Sequence, residues 1–170
     1  MEILKSKIDG CYIITQNQHG DNRGFFQELF NKNLYDYLKF SPLQVNHSFN
    51  KINVFRGIHA APFRKLVTCV SGEIVDICVD LRKDSLTYLE SFSIILNDSS
   101  KQLLIPKDCG HAFLSLKDNT SVVYMQDSYY DPKVEKSYFY KDPSIKLDLN
   151  VDESKLILSE KDSICNYIKP

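Results

Sequence analysis

Glu73-Ile74-Val75-Asp76-Ile77-Cys78-Val79-Asp80-Leu81 decides the fold. Val75, Ile77, Val79 and Leu81 fall on one face, and Asp76, Cys78 and Asp80 on the other. A period of two is the signature of a β-strand. Ser71-Gly72 just before it reads as a turn, and the apolar run 66–70 before that as a second strand. Further strands fit residues 92–96, 103–105, 112–116 and 121–125. Polar turns separate them: Asn97-Asp98-Ser99-Ser100, Lys107-Asp108 and Lys117-Asp118-Asn119. The β pattern runs from about Gln44 to Gln126. Many short strands divided by such turns predict a mainly β chain folded as a sandwich or small barrel. Helix is expected in two places only. Asn31 is a plausible N-cap for a short helix through Leu34, Tyr35 and Leu38 that Pro42 stops, and a second short helix from Ser159 carries Asp162 near its start.

The 170 residues are sized for a single domain, 1–170. Hydrophobic residues make up 43% and charged residues 25%, a globular balance that argues against disorder. Lys+Arg number 21 against 22 Asp+Glu, a net charge of -1, so the basic excess of a duplex-binding protein is missing and no nucleic-acid partner is expected. The opening Met1-Glu2-Ile3-Leu4-Lys5 has no apolar signal region, and no apolar run approaches a bilayer span. The expectation is a cytoplasmic protein without a membrane partner. Five scattered cysteines with no Cys-x-x-Cys spacing read as free thiols.

In a closed barrel, inward residues line either a packed core or a cavity. A polar residue at an inward position is costly unless it faces a ligand. Arg56, His59, Lys65, His111 and Tyr124 all lie inside or beside apolar strand runs. One such residue is ordinary; five suggest a polar cavity. An imidazole such as that of His59 can take and return a proton in general acid–base chemistry. Lys65 could hold an oxyanion, and Tyr124 could deliver a proton from a fixed direction. Asp162 beside an imidazole could orient it. Taken singly, each has a plainer reading: a structural histidine, a solvated lysine, a packed tyrosine, a helix N-terminal acid. Arg23 in Asp21-Asn22-Arg23-Gly24-Phe25-Phe26 could fork onto a phosphate, with Phe25 or Phe26 stacking on a base.

These residues fall into a longer series. It contains Asp21-x-Arg23-Gly24-x-Phe26-x-Glu28, Gln44-x-Asn46-x-Ser48, Arg56-Gly57-Ile58-His59, Lys65-Leu66-Val67 and Gly72-x-x-x-Asp76. It continues through Asp80-Leu81-Arg82-x-x-Ser85-x-Thr87, Ile105-Pro106, Gly110-His111-x-Phe113, Tyr124, Tyr130 and Ser159-x-Lys161-Asp162. In that order the chain resembles the dTDP-4-dehydrorhamnose 3,5-epimerase family of cupin-fold nucleotide-sugar epimerases.

The resemblance implies a cupin, or jelly-roll, β-barrel with short flanking helices. It implies His59 as general base, Asp162 as the carboxylate paired with it, Tyr124 as the acid on the opposite face of the sugar, and Lys65 as the group holding an enolate oxygen. Arg23, Phe26, Glu28, Gln44, Asn46, Arg56, His111 and Tyr130 match positions that contact the nucleotide, its diphosphate or the sugar. No metal or other cofactor is implied, and a homodimer is. The implied reaction inverts C3, C5 or both in a nucleotide-linked 4-keto-6-deoxy sugar for surface polysaccharide or capsule. Compared with rhamnose-pathway members, the loop Ala60-Ala61-Pro62-Phe63-Arg64 is several residues shorter, and Ala61 stands where glutamine is usual. A GDP-linked heptose therefore stays open beside a dTDP-hexose. So do a 3,4-ketoisomerase and an inactive nucleotide-sugar binder. A metal-dependent cupin is disfavoured because no His-x-His pair is present.

Overall fold

The computed structural model describes residues 1–145, 147 and 149–168. In chain order the strands are β1 (Glu2–Lys5), β2 (Tyr12–Thr15), β3 (His19–Asp21), β4 (Gly24–Phe26), β5 (Gln44–Asn50), β6 (Phe55–Ala60) and β7 (Lys65–Ser71). They continue with β8 (Ile74–Val79), β9 (Ser91–Leu96), β10 (Lys101–Ile105), β11 (Gly110–Ser115), β12 (Thr120–Gln126) and β13 (Lys136–Ser137). Helix is confined to α1 (Lys32–Asp36), α2 (Glu160–Ser163) and a 3-10 turn at Glu153–Lys155. The helix starts follow capping chemistry: the side chains of Asn31 and Ser159 accept from the Asn33 and Asp162 amides. The side chains of Leu34 and Tyr35 lie outside the described residues. No helix among the described residues is long and apolar enough to cross a membrane.

Two antiparallel sheets carry the molecule. One runs β1-β2-β10-β7-β12-β5 and the other β13-β6-β11-β8-β9, while β3 and β4 form a separate hairpin. This is the mainly β, jelly-roll architecture expected from the sequence. Val67, Cys69, Leu103, Ile105 and Val122 from the first sheet pack against Ile74, Cys78 and Phe113 from the second. The outer face of the six-stranded sheet is covered in part by the chain around α1, through Leu29, Phe30, Leu38 and Phe40. The outer face of the five-stranded sheet is covered by the C-terminal segment, through Tyr140, Ile145, Leu149 and neighbours.

The alternation in β8 has an unexpected polarity. Val75, Ile77 and Val79 face outward, under the C-terminal segment. Ile74, Asp76 and Cys78 face the space between the sheets, where Asp76 meets His111 across the ladder. Both faces are buried. The more uniformly apolar face is therefore the outer one, because the inner face shares its space with a polar cavity.

Gly72 makes the β7–β8 turn at φ +87°. A Cβ there would collide with the Thr120 hydroxyl and lie 2.7 Å from Thr120 Cα. We expect Gly72→Ala to cost about 2 kcal/mol of stability, roughly 4–8 °C in Tm, read by thermal unfolding.

Candidate active site

Between the sheets lies a cavity of about 200 Å³ lined by Arg56, His59, Lys65, His111, Tyr124 and Asp162, with Tyr130 and Glu135 among the residues at its wall. The five polar strand residues singled out by the sequence thus converge on one space. Their convergence depends on a bulge. In a regular strand, residues three apart point to opposite faces, yet Arg56 and His59 both line the cavity. Their partners on β11 are Phe113 and His111, so the stretch from 56 to 59 carries one residue more than the strand it faces. Gly57 sits within it at φ +125°, where a Cβ would lie 2.6 Å from the His111 carbonyl oxygen and from Ala112 Cβ. Glycine is required there by both conformation and space.

The His59 imidazole is anchored from the far end of the chain. Its Nε2 lies 2.7 Å from Asp162 Oδ1, and Asp162 is 3% exposed. Burial alone would raise the Asp162 carboxyl. The hydrogen bond and charge of His59, the Ser159 hydroxyl and the Gly57 amide outweigh it and hold the carboxyl below its ordinary value. An ionised carboxylate only accepts, so Nε2 is the donating nitrogen and Nδ1 carries the basic lone pair. A second pair stands beside the first: His111, opposite His59 in the ladder, places Nε2 2.8 Å from Asp76 Oδ1. Burial pushes the Asp76 carboxyl up, and His111 offsets this only in part. Asp76 Oδ2 is buried without a hydrogen-bond partner.

Lys65 opens β7 with its ammonium 3.5 Å from the His59 carbonyl oxygen. Burial pushes its pKa down, opposed by Glu135 and Asp76. Burial also raises the Tyr124 phenol, helped by Glu135, so it is a protonated donor at neutral pH. Arg56 is held by Asn50, whose Oδ1 accepts from its Nε at 2.8 Å. The cavity therefore offers a base with a bound orienting carboxylate, a protonated phenol and a desolvated ammonium. That set can remove a proton from carbon, hold the resulting oxyanion and return a proton.

The remaining candidate residues are placed differently. Gln44 and Asn46 flank the cavity on β5: Gln44 Oε1 accepts from the Tyr130 amide at 2.9 Å, and Gln44 Nε2 donates to Asn46 Oδ1 at 2.7 Å. Arg23 and Phe26 sit on the exposed β3–β4 hairpin and are absent from the cavity wall of their own chain, as is Glu28 just beyond it. Arg23 is paired with Asp21, and Glu28 accepts from Asn31. Two residues that sequence reading passed over belong to the site. Glu135, in a polar loop with no periodic pattern, is tied to Lys161 at 2.8 Å. Asp76 was visible as an acid in the apolar run 73–81 and in the motif series, without a role, and reaches the site through His111. Among the described residues, no three His, Cys, Asp or Glu side chains converge as metal ligands.

A family model described as dTDP-4-dehydrorhamnose 3,5-epimerase matches residues 5–169. The chain is 34% identical over 170 residues to the dTDP-4-dehydrorhamnose 3,5-epimerase of Escherichia coli strain K12, covering 95% of this chain and 91% of that protein. It is 36% identical over 166 residues to the enzyme of the same name from Methanothermobacter thermautotrophicus, covering 94% and 90%. Among solved structures, it matches the dTDP-6-deoxy-D-glucose-3,5-epimerase of Legionella pneumophila in complex with dTDP-4-keto-L-rhamnose. That match has a TM-score of 0.92 and 33% identity, over 98% of this chain and 92% of that one.

The depressed Asp162 carboxyl fixes a sign. The folded state binds this proton more weakly than the unfolded chain, whose carboxyl titrates near ~3.9. The pair thus adds stability above about pH 4 that is lost as pH falls through the folded value. We expect the Tm gap between the parent protein and Asp162→Asn to be widest near neutrality and to narrow below about pH 4, as calorimetry at stepped pH will read.

Proposed function

The chain belongs to the dTDP-4-dehydrorhamnose 3,5-epimerase family, isomerases of nucleotide sugars, and on that basis we propose that it inverts C3 and C5 of a dTDP-linked 4-keto-6-deoxy hexose through an enolate. One observation carries the reading: the imidazole of His59, backed by Asp162, and the phenol of Tyr124 line the same cavity. A ketone at C4 acidifies the hydrogens at C3 and C5, because the anion left behind delocalises onto oxygen. His59 Nδ1 takes that proton, and the electron pair moves into the ring to form the enolate. The Lys65 ammonium stabilises the enolate oxygen, a gain that grows toward the transition state. Tyr124 returns a proton to the same carbon from the other face, and the two side chains reset through solvent. Every step is proton transfer, so no redox cofactor is required by the balance.

A cavity of about 200 Å³ has room for the sugar and not for a whole nucleotide sugar. The diphosphate and base then lie over its mouth, beside Tyr130, Gln44, Asn46 and Arg56, with His111 at the sugar end. We further propose a homodimer in which the β3–β4 hairpin of one protomer brings Arg23, Phe26 and Glu28 to the partner's cavity mouth. Phe25 and Phe26, 60% and 68% exposed, support this: a hairpin tip rich in exposed aromatics is built to be covered. Residues 1–170 act as one cytoplasmic epimerase domain serving surface polysaccharide, capsule or lipopolysaccharide. The five free thiols suit that compartment.

Incubation in heavy water with dTDP-, GDP- and CDP-linked 4-keto sugars, followed by NMR, tests the reading. Deuterium is expected at C3 and C5 of the dTDP-hexose. Preferred exchange into the GDP-heptose would reassign the substrate, ketone migration would make this a 3,4-ketoisomerase, and no exchange with any sugar would leave a mere binder. His59→Ala should lower exchange by about 10²–10⁴. Tyr124→Phe should still exchange deuterium but cut inversion. For the dimer, inactive Arg23→Ala and inactive His59→Ala proteins, unfolded and refolded together, should regain about a quarter of wild-type activity if the hairpin acts in trans. Mixtures that stay inactive would confine each site to one chain.

A further inference from the structure

Lys65 has no ion-pair partner among the described residues, although it is buried to 7% exposure. Its one hydrogen bond is the long 3.5 Å contact to the His59 carbonyl oxygen. What lies against it is a ring: the ammonium sits 5.7 Å from the Phe63 centroid, within the range of a cation–π contact. Phe63 is itself only 4% exposed. The short loop that carries it is clamped on both sides. The Asp108 amide donates to the Ala61 carbonyl at 2.9 Å. The Arg64 amide and guanidinium donate to Asp127 at 2.7 and 2.8 Å, and the guanidinium also reaches the Leu38 carbonyl and stacks over Phe40. Arg64 thus holds the loop to Asp127, Leu38 and Phe40, while the adjacent Phe63 contacts the lysine.

We propose that Phe63 is a positioning residue, whose ring face holds the Lys65 ammonium at the cavity wall in place of a carboxylate. The substitution has a chemical reason. A carboxylate partner would neutralise the cation and compete with the oxyanion for its protons. A ring quadrupole attracts the ammonium yet leaves its N–H groups free for the enolate. The loop places the ring beside the nitrogen without adding a formal charge. Other charged and titratable groups also face this ammonium: Arg56 and His59 from β6, Asp76 from β8, His111 from β11, Tyr124 from β12, and Glu135 at the cavity wall with Lys161 paired to it. None of them is displaced by a change confined to the Phe63 ring.

This inference rests on the enolate-holding role given to Lys65. Its test replaces Phe63 by mono-, di- and trifluorophenylalanine, which keep the ring's shape while draining its face of negative charge. With each fluorine, kcat for deuterium exchange should fall, by about tenfold at the trifluoro ring, with KM moved less than about twofold. The alkaline limb of the pH profile should move to lower pH, because a cation deprived of the ring's field loses its proton more readily. Phe63→Tyr should behave like wild type. NMR titration of the Lys65 side chain should show the same downward trend. A kcat, pH limb and Lys65 titration unmoved across the series would overturn the proposal. If the wild-type enzyme exchanges no deuterium, the functional reading fails instead, while the Lys65 titration still decides on Phe63.

Discussion

The hydrogen bond between His59 Nε2 and Asp162 Oδ1 ties together residues 103 positions apart. It is the contact on which the site depends. One partner lies on a strand of the five-stranded sheet and the other in a four-residue helix. So short a helix has little stability of its own. The Ser159 cap, the packing of the C-terminal segment on the outer face of the sheet and this bond together place the carboxylate. The covering segment therefore does two jobs. It buries Phe55, Ile58, Ile77, Ala112 and Leu114 from outside, and it delivers an acid through the edge of the barrel to the inside.

That double use explains the odd polarity of β8. A barrel that keeps a polar cavity cannot fill its interior with aliphatic side chains, so hydrophobic burial has to be found elsewhere. Here it is found outside, on the face that the C-terminal segment seals. Inside, burial and polarity are reconciled by pairing: His59 with Asp162, His111 with Asp76, Arg56 with Asn50. Lys65 has no carboxylate partner among the described residues, and an aromatic face lies against it.

The strand pattern was legible because alternation survives in β8 and the polar turns are explicit. Asn31 announced one helix start through its capping chemistry, and the second short helix begins at Ser159 as expected. The two N-terminal strands were harder to read: Glu2–Lys5 has one half-buried apolar position, and Tyr12–Thr15 is buried to some degree at every position, so neither shows a period of two. Arg56, His59, Lys65, His111 and Tyr124 stood out one by one as polar positions in or beside apolar runs, but the geometry of their convergence on one cavity did not. Nothing in Arg56-Gly57-Ile58-His59 states that both ends face the same way, since that depends on a bulge set by the pairing of β6 with β11. Glu135 was invisible because β13 and Lys161, rather than any local pattern, position it. Arg23, Phe26 and Glu28 matched a motif, yet a single chain leaves them outside its own cavity.

The long separation between His59 and Asp162 also orders events during synthesis. A ribosome releases the strand bearing the imidazole more than a hundred residues before the carboxylate emerges. Until then the stretch that packs on Phe55, Ile58, Ile77, Ala112 and Leu114 is missing, and His59 lacks its carboxylate partner. Burial of that flank and alignment of the ring depend on the same late-arriving stretch, so an unfinished chain lacks the His59–Asp162 pair.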